Sequence, residues 1–171
     1  LSEAGSARNE DPRKALLARW SFPEGTGAST REIVSGSTCP VVNAQWTQGI
    51  QGSALRFAEP GSVVRIDPLG LQGKDYSVEA WIRPENPSPG RCFILGAEAW
   101  ERQVFMVDFG LPTDAGHQGR LVLKHRRWDQ GQNIRLVSAP VEFVVGRWVH
   151  VAGTFSQENG MAVYLNGKLC G

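Results

Sequence analysis

The acidic residues of this sequence could support catalysis if two of them stood at the spacing that a carboxylate pair requires. Glycoside hydrolysis needs two carboxylates facing one sugar, and on a single strand such a pair would stand at positions i and i+2 or i+4. Glu98 and Glu101 come nearest to this pattern, but a spacing of three residues places them on opposite faces of a strand. The sequence therefore argues against a glycosidase, and we expect no catalytic residue in this segment.

Histidine, serine and glycine patterns give no cofactor or nucleophile site. His117, His125 and His150 are isolated from one another, and the sequence contains no D-x-D-x-D calcium loop. It also has no G-x-S-x-G nucleophile motif and no glycine-rich phosphate loop. We therefore expect no cofactor on the basis of these motifs.

A polar aromatic stretch, Lys124–Asp129, is the best candidate for ligand contact, with Trp100 and Arg102 upstream. Aromatic faces stack on sugars, while neighbouring charged groups form hydrogen bonds with hydroxyls or carboxylates. The candidate ligand-binding residues are Trp100, Arg102, Arg126, Trp128 and Asp129. The alternative interpretation is a solvated strand end with Trp128 half packed. Because the net charge is only +1, we expect no nucleic acid partner.

The cysteines leave the redox compartment open. Cys39, Cys92 and Cys170 are odd in number and show no C-x-x-C spacing, so they predict no zinc site. We interpret them as including buried free thiols. One disulfide plus one free thiol is the alternative.

Composition indicates many turns and therefore many short strands. The chain of 171 residues contains 20 glycines and 10 prolines, with 41% apolar and 20% charged residues. No apolar stretch is long enough to span a bilayer, so no membrane span is predicted. Residues 1–14 are polar and are predicted to be a flexible N-terminal segment or linker, followed by one domain over residues 15–171.

Alternating apolar patterns closed by turn residues predict an all-β fold, a sandwich or barrel. Tyr76–Ile82 alternates most clearly, with Val78 on the predicted core face and Trp81 on the opposite face. The least regular stretches, Ala28–Thr47, Asn86–Arg91 and Leu111–Gly119, are predicted to be long loops. Ten strands are predicted: Ala54–Phe57, Ser62–Ile66, Tyr76–Ile82, Cys92–Leu95, Gln103–Phe109, Arg120–Arg126, Ile134–Ser138, Val141–Val145, Trp148–Phe155 and Met161–Leu165.

Asn166-Gly167 predicts a tight hairpin turn near the end of the sequence, because both residues tolerate the positive φ of a type I′ turn. The turn should place Tyr164 opposite Leu169 and Leu165 opposite Lys168. Only half a typical strand follows the turn. We therefore expect the sandwich to lack its C-terminal strands in this segment, and the remainder of a parent polypeptide to complete it.

Five motifs in order resemble those of laminin-G-like (concanavalin A-like) jelly-roll domains. Trp20–Gly27 resembles their opening strand and W-x-F-D-E-G-T-G turn, and Gly52–Phe57 is similar to G-x-A-L-x-F. Tyr76–Pro84 resembles F-T-V-x-A-W-I-K-P, Trp148–Phe155 resembles W-H-H-V-A-x-T-Y, and Met161–Gly167 resembles x-x-x-Y-V-N-G. The resemblance implies an antiparallel two-sheet jelly-roll β-sandwich.

The resemblance also implies roles for residues inside these motifs. His150 is interpreted as a structural hydrogen-bonding residue. The aromatic residues of the motifs are assigned to packing: Trp20, Phe22, Phe57, Trp81, Trp148, Phe155 and Tyr164. Pro23 replaces the family's acidic residue, and the family's closing acidic strand is absent. Some members bind calcium at the rim, so calcium binding stays open although no motif supports it.

The resemblance favours a non-catalytic recognition or architectural module of a larger protein, which binds carbohydrate or protein through loops at the sandwich rim. The alternative is an accessory domain of a multidomain hydrolase whose active site lies elsewhere, either a glycoside hydrolase or a dimethylformamidase-type amidohydrolase. Arg31–Ser35 resembles the latter group. A stand-alone calcium-dependent lectin is a third hypothesis. An extracellular location is favoured by the resemblance, with a cytoplasmic one left open.

Overall fold

The computed structural model describes residues 15–71, 75–85, 92–96, 105–111, 120–127, 133–140 and 144–171. These ranges contain β-strands and no helix long and apolar enough to cross a membrane. The strands are β1 (Ser29–Arg31), β2 (Thr38–Val42), β3 (Gln45–Gln48), β4 (Ser53–Arg56), β5 (Val63–Val64), β6 (Tyr76–Ile82), β7 (Cys92–Leu95), β8 (Phe105–Leu111), β9 (Arg120–Arg127), β10 (Asn133–Pro140), β11 (Val149–Ser156), β12 (Gly160–Leu165) and β13 (Lys168–Leu169).

The chain divides into two compact units, Leu1–Gly70 and Leu71–Gly171. The N-terminal unit contains a three-stranded sheet in the order β1-β2-β5 and the separate hairpin β3-β4, all with antiparallel pairing. Thr30 and Cys39 are paired residues of β1 and β2, and both are buried.

Two predictions for the N-terminal unit were wrong. Ala28–Thr47 was predicted as a loop but contains β1, β2 and most of β3. These strands are short, and backbone pairing defines them rather than a local alternating pattern: β1 pairs with β2, and β3 pairs with β4. The opening strand expected around Trp20 is not a strand, and Phe22 has a φ of 54°, which interrupts an extended backbone.

The C-terminal unit is a two-sheet β-sandwich. One sheet has the order β10-β9-β8-β7 and the other β13-β12-β11-β6, with antiparallel pairing throughout. Across the interior, the hydroxyl of Tyr76 lies 3.2 Å from Nδ1 of His125. The His125 ring stacks on Phe155 with centroids 3.8 Å apart. Because Tyr76 and Phe155 belong to one sheet and His125 to the other, these contacts join the two layers and confirm the predicted fold class.

The β6 strand shows the predicted alternation. Tyr76 is buried, Val78 is half-buried, and Glu79 and Trp81 are exposed. The Val78 face therefore lies toward the interior, as predicted. The packing role assigned to every motif aromatic was wrong at two positions, because Trp81 is 52% exposed and Phe57 is 51% exposed.

The C-terminal hairpin forms with the predicted register. Tyr164 pairs with Leu169 and Leu165 with Lys168, and the φ angles of Asn166 and Gly167 are 49° and 76°. Beyond this pair, the Val163 carbonyl accepts from the N–H of Cys170, while the Val163 N–H donates to the Gly171 carbonyl. Two residues of the returning strand therefore face one residue of β12, which is the pattern of a β-bulge.

The remaining predictions fall partly outside the described residues. Asn86–Arg91 and residues 112–119 lie outside them, as do residues 141–143 of the predicted strand Val141–Val145. Val144 and Val145 are not in a strand. Cys39 is a buried free thiol, in agreement with the interpretation from the sequence, whereas Cys170 is a free thiol that is exposed.

Candidate ligand-binding face

Strands β6 and β11 position a row of polar and aromatic side chains on the outer face of their sheet. His150 pairs with Trp81 and Ala152 with Glu79 in the antiparallel register. Val149 and Val151 are buried, so the intervening His150 points to the opposite face. The alternation of both strands therefore brings Glu79, Trp81 and His150 together away from the core.

The three side chains are in contact. The Trp81 and His150 rings are tilted at 56° with centroids 5.2 Å apart. His150 Nε2 lies 3.2 Å from Glu79 Oε2, and the Glu79 side chain is 73% exposed while that of His150 is 22% exposed. His150 is therefore held between an indole ring and a carboxylate, and both partners remain open to solvent.

A second cross-strand contact extends the row by one position. The guanidinium carbon of Arg83 lies 5.3 Å from the centroid of the Trp148 ring, within the range of a cation–π interaction. Arg83 Nη2 is also 3.6 Å from Glu85 Oε1. We refer to Glu79, Trp81, Arg83, Trp148 and His150 as the outer-face cluster.

The C-terminal hairpin turn anchors the cluster through the backbone of His150. The His150 N–H donates to Asn166 Oδ1 at 3.0 Å, and the Asn166 N–H donates to the His150 carbonyl at 2.8 Å. Asn166 thus forms part of the turn and also holds His150, the residue that pairs with Trp81. This agrees with the expectation that His150 has a structural hydrogen-bonding role, although its ring also belongs to the exposed cluster.

The side chains of the outer-face cluster offer several kinds of contact to a ligand. An open indole face offers a stacking surface, Glu79 accepts hydrogen bonds, and the imidazole can donate or accept. The described outward rows of β6, β11 and β12 carry one carboxylate, Glu79. The paired carboxylates of glycoside hydrolysis are therefore absent from these described rows.

Of the five residues predicted as ligand contacts, Arg126 is the one that falls within the described ranges. Arg126 lies on β9, paired with Met106 and Ile134. Trp100, Arg102, Trp128 and Asp129 lie outside the described residues. Sequence reasoning missed the outer-face cluster because it assigned Trp81 and Trp148 to packing. The signal was present in the alternation of β6, which set Trp81 and Glu79 apart from the core face.

No group of three or more His, Cys, Asp or Glu side chains within the described ranges lies close enough to hold a metal ion.

Two carboxylates outside the cluster, Asp75 and Glu32, accept hydrogen bonds from nearby residues. Asp75 accepts from the Gln157 N–H and the Ser156 hydroxyl, each at 2.9 Å, and these bonds lower the pKa of the Asp75 carboxyl. Burial raises the pKa of Glu32, but N–H groups of Ser35, Val34 and Arg19 outweigh it and bring the pKa to about 2. Both carboxylates therefore order loops.

Comparison with known families assigns the fold. A family model described as the concanavalin A-like lectin/glucanases superfamily matches residues 58–171. The chain belongs to this superfamily. The match includes the whole C-terminal sandwich unit and with it the outer-face cluster, and it confirms the family to which the sequence motifs pointed.

One solved structure similar to this concanavalin A-like chain is the native heptameric SAP-like pentraxin from Limulus polyphemus. The two are 28% identical, with a TM-score of 0.34. The alignment covers 56% of this chain and 41% of the pentraxin chain, so less than half of that protein is represented. No curated protein sequence matches the chain. The fold assignment rests on the family match and on the two packed sheets.

Proposed function

We propose that this concanavalin A-like domain is a non-catalytic recognition module that binds carbohydrate on the outer-face cluster. The observation that carries the proposal is the half-open ring of Trp81 beside the Glu79–His150 pair. A pyranose has one apolar face and a rim of hydroxyls, so it suits an exposed aromatic face next to groups that accept and donate hydrogen bonds.

Carbohydrate fits this cluster better than an apolar protein surface. The charged groups Glu79 and Arg83 surround the rings, whereas the centres of protein interfaces are depleted in charged residues. Binding of a neutral polyhydroxyl ligand does not require net charge on the protein, and the chain carries only +1. A protein ligand that occupies the same face would be an alternative result of the test below.

The rim residues Trp100, Arg102, Arg126, Trp128 and Asp129 form a second proposed contact region, supported by their residue types alone. We further propose that the domain works as part of a larger polypeptide. The alternative function is an accessory domain of a multidomain hydrolase whose active site lies elsewhere.

The experiment is a glycan array followed by an NMR titration of the best ligand. The chain has six tryptophans, and each indole N–H gives one resolvable signal. They form three pairs that report on three regions: Trp81 and Trp148 on the outer face, Trp100 and Trp128 in the predicted rim site, and Trp20 and Trp46 in the N-terminal unit.

We expect the signals of Trp81 and Trp148 to shift in a saturable way. Movement of the Trp100 and Trp128 signals alone would transfer the site to the rim and contradict the outer-face assignment. Hydrolysis of any bound glycan by the isolated domain would contradict the non-catalytic role. Saturable binding of a protein, with no glycan bound, would replace carbohydrate as the ligand class.

A further inference from the structure

The N-terminal unit contains a half-open pocket of about 220 Å³ that the proposed function does not use. Its apolar lining comes from Leu17, Trp20, Ile66, Pro68 and Leu69. An apolar cavity of roughly 150 Å³ holds a benzene molecule. The pocket is therefore large enough for a single ring with a short substituent.

The Trp20 wall of this pocket is fixed in place. Its indole Nε1 donates to the Sγ of Cys39 at 3.3 Å, and Cys39 is only 3% exposed. Glu32 is also buried and is held by the backbone N–H groups of Arg19 and Val34 at 2.6 and 2.9 Å. These contacts give the pocket a rigid side, which lowers the ordering cost of binding.

The charged side chains that line the pocket are acidic. Glu32 and Asp67 both line the pocket, and among the described lining residues there is no Lys, Arg or His. Backbone donors keep Glu32 ionised, and Asp67 is an exposed lining residue that a ligand can reach. The two carboxylates attract cations, and so does the face of an indole ring. The apolar walls can contact an uncharged part of the same ligand.

We propose that this pocket binds a small organic cation, an amine attached to one ring or a short apolar stem. The stem lies among the apolar walls beside Trp20, and the ammonium group faces Asp67 with Glu32 behind it. The site lies in the N-terminal unit and is independent of carbohydrate binding on the outer-face cluster.

Three ligands of matched shape test the charge requirement: benzylammonium, benzyl alcohol and benzoate. Each is titrated into the full chain at low ionic strength, with the Trp20 indole N–H signal as the readout. We expect saturable shifts with benzylammonium, at least fivefold weaker binding of benzyl alcohol, and no saturable shift with benzoate. Raising the salt concentration should weaken benzylammonium binding.

A pair of variants tests the contribution of Asp67. Asp67→Asn should weaken benzylammonium binding at least threefold, while Glu59→Gln, which removes an exposed carboxylate outside the lining, should leave it unchanged. Unchanged melting temperatures confirm that both variants are folded. Equal binding of the three ligands, an unaffected Asp67→Asn variant, or no saturable Trp20 shift with benzylammonium would each overturn the proposal, whatever the result on the outer face.

Discussion

Replacing Trp81 by alanine should weaken carbohydrate binding strongly and leave the fold intact. Trp81 is the most exposed aromatic residue of the outer-face cluster, and it pairs with His150 on the neighbouring strand β11. Alanine removes the stacking surface while the β6–β11 pairing continues through backbone hydrogen bonds.

The magnitude follows from the exposed area. Trp81 is 52% exposed. With roughly 250 Å² for a tryptophan side chain, roughly 130 Å² is open, and a flat ligand on one side covers about half of that. At about 25 cal/mol per Å², burial of about 65 Å² contributes about 1.6 kcal/mol. The dissociation constant should therefore rise about 15-fold.

Isothermal titration calorimetry with the best glycan from the array measures the change. Phe57→Ala is the matched control, because Phe57 is 51% exposed and lies in the other unit. The Phe57→Ala variant should bind the glycan with the affinity of the wild type. Trp81→Phe should be intermediate, because it keeps a smaller ring. If Trp81→Ala melts cooperatively and binds within twofold of the wild type, the ring does not contact the ligand and the reasoning fails.

Three further predictions concern stability. Tyr76→Phe removes the buried hydrogen bond to His125 and should lower the free energy of unfolding by about 1–3 kcal/mol in chemical denaturation. Gly167→Val should cost about 1–2 kcal/mol at a φ of 76°, whereas Gly167→Asn, which tolerates positive φ, should cost less; equal melting temperatures would contradict this. Because folding lowers the pKa of Glu32 to about 2, its stabilising effect is present above the ordinary value of 4.5 and is lost as the pH falls toward 2. A pH series of unfolding free energies should show a shallower acid slope for Glu32→Gln than for the wild type.

Local patterns predicted the C-terminal unit well. The Tyr76–Ile82 alternation and the Asn166-Gly167 turn depend on neighbouring residues, and each defines its structure without help from distant parts of the chain. In the N-terminal unit, β1 and β2 are too short to show a pattern. Their pairing depends on residues such as Glu32, whose side chain organises the turn between them, and sequence reasoning had no signal for that contact.

The candidate site was harder to predict than the fold because its contacts are between strands. Glu79 and His150 are 71 positions apart in the sequence, and only the β6–β11 register brings their side chains to 3.2 Å. Trp81 was assigned to packing because it lies in a strand motif of the family and large rings are usually buried. Its position two residues from Glu79 on the outward row was the better guide.

The contacts of the outer-face cluster also stabilise the sheet, since directly paired side chains on neighbouring strands contribute roughly 0.2–1 kcal/mol. The cation–π contact of Arg83 with Trp148 contributes in this way. Trp81 differs because His150 contacts its ring while the residue remains 52% exposed, beside the Glu79 side chain, which is 73% exposed. The contact holds the ring in one orientation, and the exposed part is the surface that a ligand can use. Rigid support and open area at the same residue are therefore what make Trp81, rather than Trp148, the centre of the proposed site.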